Sequence, residues 1–97
     1  MAGLTAAMWT VDTMTPGSDY KRITDVHELM EWEGYTVLVR PRDSHYGFTP
    51  AKIQHPSATG QWFVCYLSHD RKRVIHARQY VRAIDILDDL CVMRFCG

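Results

Sequence analysis

Five histidines, three cysteines and one run of three cations are the side chains of this 97-residue chain that could do chemistry. His27, His45, His55, His69 and His76 are of the type used for proton transfer near neutral pH or for holding a metal. Neither they nor Cys65, Cys91 and Cys96 fall into the closely spaced pairs that a ligand set needs, so no metal and no cofactor is expected. Cys65 could act as a nucleophile only if His69 or His76 folded back onto it, and a cysteine beside Val64 in a β-type run reads as inert core. The six glycines are scattered and build no phosphate loop. No constellation meets a geometric test for catalysis, and the chain reads as a non-enzyme.

The cations are more telling. Residues 35–84 carry eight Lys and Arg against two Asp and Glu, whereas 1–34 carry two against six and 85–97 one against three. The formal net charge of zero therefore hides a basic middle between acidic ends. Clustered charge creates a local potential even on a neutral chain, so the middle is where an acidic partner would be met.

The elements that must position these residues change period at Gly34. Before it, Asp25 and Glu28 have the spacing of a capping box, Val26, Leu29 and Met30 share one helical face, and Gly34 suits a left-handed C-terminal position. A short helix of about two turns follows. Residues 1–20 hold no sustained period and read as an arm, with Met8 and Trp9 docking on the core. After Gly34 the pattern alternates, giving strands at 35–40, 51–55 and 62–67, a polar turn at 68–73, a fourth strand at 74–77 and a fifth at 81–84 after a turn at 78–80. Val37, Val39, Ile53, Phe63 and Val74 are the expected core. Residues 85–93 read as a helix with Ile86, Leu90 and Met93 on one face.

The fold expected is α+β and mainly β. A five-stranded antiparallel barrel at 34–84 is preceded by the arm and helix of 1–33 and followed by a helical tail at 85–97, all in one compact domain. With 46% hydrophobic and 11% aromatic residues the chain can build such a core. No apolar run is long enough to cross a bilayer, the first nine residues lack the basic start of a secretory signal, and an odd cysteine count fits a reducing compartment. The expectation is an intracellular protein with no membrane partner.

The succession Val37-Leu38-Val39, Tyr46-Gly47-Phe48-Thr49-Pro50-Ala51-Lys52-Ile53, Phe63-Val64-Cys65-Tyr66, Val74-Ile75-His76-Ala77 and Tyr80-Val81-Arg82 resembles the Tudor domain and its Royal-superfamily relatives. It covers residues 34–84. Where Tudor sequences often carry Asp-Tyr-Gly-Asn, this chain has Cys65-Tyr66-Leu67-Ser68, without the acidic residue, the turn glycine and the amide. The resemblance implies a chromatin-associated, nuclear binding module for a methylated lysine or arginine in a histone-like tail. It places the aromatic cage at Tyr46, Phe48 and Tyr66, with Asp70 as the acidic partner, because aromatic faces attract a weakly hydrated cation.

Two other functions fit the same residues. Arg71, Lys72 and Arg73, with Arg42 and Lys52 nearby, could contact nucleic-acid phosphates while His45 and Tyr46 stack on a base. The Pro50–Ile53 strand is also similar to the DNA-binding barrel of retroviral integrases. The third is a plain protein-interaction module, in which the acidic ends fold onto the basic barrel and suppress anion binding.

Overall fold

The structure, a computed structural model, describes residues 16–97; the arm's Met8 and Trp9 lie outside the described residues. Eight elements follow one another: β1 (Tyr20–Ile23), α1 (Val26–Glu31), β2 (Thr36–Pro41), β3 (Thr49–Gln54), β4 (Trp62–Leu67), β5 (Val74–Tyr80), α2 (Ala83–Asp89) and β6 (Leu90–Phe95). The six strands form one antiparallel sheet in the order β1-β6-β2-β3-β4-β5.

Residues β2 to β5 form a meander, as alternation predicts, but the sheet differs from the expected barrel in three ways. It has six strands rather than five, and β1 and β5 are edges that do not pair, so it is not closed. The expected fourth strand runs on through the expected turn at 78–80, and the expected fifth strand at 81–84 is instead a bend and the start of α2. Residues 78–80 contain neither Gly nor Pro to turn the chain, and the ladder with β4 runs on until Trp62 faces Tyr80. The expected C-terminal helix stops at Asp89 and gives way to β6, inserted between β1 and β2. A strand buried on both faces has no alternation to betray it, and Leu90, Cys91 and Val92 are all buried.

Each helix has a local cause. Asp25 caps α1 by accepting from the His27 amide at 3.3 Å, but Glu28 pairs with Arg94 on β6 at 3.0 Å instead of closing the box. Gly34 adopts φ +85°, the left-handed conformation expected of it, and its amide donates to the Ile53 carbonyl at 2.8 Å. For α2, Asp85 accepts from the Arg82 amide at 3.0 Å and from its guanidinium at 2.8 Å.

The main core joins Ile23, Leu29, Val37, Val39, Ala51, Ile53, Trp62, Val64, Ile86, Leu90 and Val92 between the helices and one sheet face. A smaller cluster of Leu38, Phe48 and Cys91, flanked by Tyr20 and Met93, lies on the opposite face. Val37, Val39 and Ile53 are core, as expected; Phe63 and Val74 are not. On β4 the inward positions are Trp62 and Val64, which leaves Phe63 half-buried on the other side, and Val74 is 56% exposed on the edge strand. A one-residue shift of phase exchanges the two faces of a strand.

Candidate functional site

The ladders place two loops at the same end of the sheet. Val37, Ala51 and Tyr66 share one row, with His76 beyond them, and from that row β2 and β4 both run toward the loops that follow them. The β2–β3 loop (residues 42–48) and the β4–β5 turn (residues 68–73) therefore emerge side by side. Two strand spacings, about 10 Å, separate β2 from β4.

The β4–β5 turn is tightly built. The Ser68 hydroxyl donates to the Asp70 carboxylate at 2.5 Å, which also accepts from the Lys72 amide at 3.0 Å. The Ser68 Oγ in turn accepts from the Arg73 amide at 3.2 Å, and Ser68 and Arg73 pair through their backbones at 2.8 Å. These bonds hold the Asp70 carboxyl below its ordinary pKa, the Ser68 hydroxyl contributing most and the Lys72 amide next. They also hold Arg71 at φ +63°, a conformation costly for a residue with a Cβ. Asp70 thus serves the turn, and the turn presents Arg71, Lys72 and Arg73, all exposed.

The β2–β3 loop is held at several points. The Tyr46 amide donates to the Ser44 hydroxyl at 3.0 Å, the Ser44 amide to the Pro41 carbonyl at 3.0 Å, and the Arg42 amide to the Asp89 carbonyl at 3.1 Å. Arg40 lies with its guanidinium 4.7 Å from the Phe48 ring centre and reaches the Tyr46 carbonyl at 3.4 Å. Its buried Nε–H has no hydrogen-bond partner among the described residues. Arg42 also lines a cleft of about 220 Å³ with Arg22, Thr24 and Asp88 over a floor of Ile23, Ile84 and Leu87.

The three aromatic positions of the cage are not brought together. Phe48 is buried with Leu38 and Cys91 on one face of the sheet, Tyr66 packs against the main core on the other, and Tyr46 is 77% exposed. Tyr66 meets His76 at 5.7 Å between ring centres. Lys52 lies on β3 opposite Thr36 and Cys65, within the sheet and not on either loop.

Acidic residues of the flanking segments are spent on specific arginines. Asp89 pairs with Arg78 at 3.0 Å and accepts from the Tyr80 hydroxyl at 2.6 Å; Asp85 pairs with Arg82 and Glu28 with Arg94. The Lys72 and Arg73 side chains enter no ion pair among the described residues. Sequence reasoning missed the structural role of Asp70, although Ser-x-Asp ahead of a turn is a pattern for such bonds.

Cys65 faces Ala77, whereas His76 faces Tyr66, so Cys65 and His76 project to opposite sides of the sheet. Burial pushes the Cys65 thiol up. Among the described residues no group of three or more His, Cys, Asp or Glu could hold a metal, and no helix is long and apolar enough to cross a membrane. No protein-family model matches the chain, and no curated protein and no solved structure matches it either.

Proposed function

We propose that the protein is a non-catalytic nucleic-acid-binding module whose contact surface is the sheet end formed by the β4–β5 turn and the β2–β3 loop. The observation that carries this reading is the turn itself. Three consecutive cations sit on a backbone fixed by hydrogen bonds through Ser68 and Asp70. A backbone already fixed leaves less to be ordered when the side chains it carries meet phosphates. Three of the nine flanking carboxylates, Asp89, Asp85 and Glu28, are engaged by Arg78, Arg82 and Arg94 and not by the turn.

The strand order β6-β2-β3-β4-β5, a meander whose first strand is joined by the last, supports a relation to Tudor-like small barrels. The methylated-cation reading that goes with that resemblance has less support. Phe48 and Tyr66 lie on opposite faces, and Oδ1 of Asp70 already accepts two bonds from its own turn.

The test is fluorescence anisotropy with labelled oligonucleotides over a range of salt. Affinity is expected to fall as salt rises, with a log–log slope of roughly 0.7 to 0.9 per phosphate contact. Reversing Arg71, Lys72 and Arg73 to Glu should remove binding and leave the melting temperature close to that of the parent. Binding that ignores both salt and the triple reversal would refute the reading.

A further inference from the structure

We infer that the nucleic acid taken at this end is single-stranded and that Tyr46 stacks on one of its bases, an inference that rests on the nucleic-acid reading above. Of the five tyrosines, Tyr46 alone has no ring or cation against it among the described residues. Tyr20 meets Phe95, Tyr35 meets Trp32, Tyr66 meets His76, and Tyr80 lies under Arg78. Tyr46 is also the most exposed of the large apolar residues among those described, at 77%.

That exposure does not come from a loose loop. The Tyr46 amide is held by Ser44 and its carbonyl by Arg40, so both backbone groups of the residue that carries the ring are fixed. Two cation-bearing segments flank it. Arg42 stands in the same loop, and the turn with Lys72 and Arg73 emerges at the same end of the sheet, two strands along from β2. An aromatic face beside a cationic track is the arrangement that binds single strands, because a base offers its face only when it is not paired and stacked within a duplex. A duplex could use the cations but not the ring.

The experiment compares a labelled 12-nucleotide single strand of mixed sequence with the duplex of the same length, using the full chain. The single strand is expected to bind more tightly. Tyr46→Ala should weaken it by roughly 5- to 150-fold, the equivalent of one lost base–aromatic stack. The same variant should leave duplex affinity within about twofold, and Tyr46→Phe should restore single-strand binding, since the ring face and not the hydroxyl is used. Equal single-strand affinity for Tyr46→Ala and the parent overturns the inference, as does tighter binding of the duplex. If the reversal of Arg71, Lys72 and Arg73 still abolishes binding in that case, the nucleic-acid reading survives without the stacking. Failure of the parent to bind either probe overturns both.

Discussion

The centre of the sheet and its β4–β5 ribbon are built from the same element in opposite ways. On β2, Val37, Leu38 and Val39 are buried in succession, and on β6 Leu90, Cys91 and Val92 are, because each strand is packed on both faces. On β5 six of seven residues are exposed, including Val74 and Ile75, and the ladder is irregular between Tyr66 and Leu67. The centre holds the fold together. β5 contributes little burial beyond Tyr80, and the turn that leads into it is bonded through Ser68 and Asp70 and carries three consecutive cations. Irregularity and charge on an edge strand also discourage pairing with other sheets.

The largest expected effect separates the two sides of β4. Trp62→Ala removes a buried ring that stacks on His55 at 4.0 Å and should cost about 3 to 5 kcal/mol. Phe63→Ala, on the half-buried side, should cost less than about half of that. Thermal denaturation of the two variants measures the difference, and equal losses would mean that the faces are not distinct.

A second effect is alkaline. Burial first, and then the bond to Asp89, raise the Tyr80 hydroxyl well above its usual pKa, so the folded chain keeps a proton that the unfolded chain gives up near pH 10. This contribution is whole below about pH 10 and is lost as pH climbs beyond it. The raised Tyr66 hydroxyl and Cys65 thiol act in the same direction. Tyr80→Phe should lose about 1 kcal/mol at neutral pH through the missing bond, yet show a flatter decline above about pH 10. An unchanged alkaline slope would show that Tyr80 is not the group responsible.

At the turn, stability and binding should part company. Arg71→Gly relieves the left-handed strain and should raise stability by up to about 1 kcal/mol while weakening nucleic-acid binding. A variant that is both less stable and equally tight would break the contrast between ribbon and core. The smallest effect is expected at Ile75→Ala, where 64% exposure should keep the change within about 0.5 kcal/mol.

The sequence made the β2–β5 meander readable because each of those strands meets turn chemistry at 41–48, 56–60 or 68–73. It also made α1 readable, since Asp25 and Gly34 mark its ends. β6 was hidden because a strand covered on both faces shares its unbroken apolar run with a buried helix. β1 was hidden because its four residues contain one buried side chain, Ile23, and owe their strand conformation to β6. The basic turn stood out by composition, but Asp70 did not reveal whether it faced a ligand or its own backbone. Phe48 and Tyr66 could be assigned to faces only once the ladders had fixed their register.

The most direct test of the central claim is an amide chemical-shift titration of the labelled protein with the 12-nucleotide single strand. The account predicts shifts concentrated in residues 42–48 and 68–74, with the rest of the sheet little changed. Shifts centred instead on Tyr66, Tyr80 and α2, with the 68–74 turn silent, would contradict it.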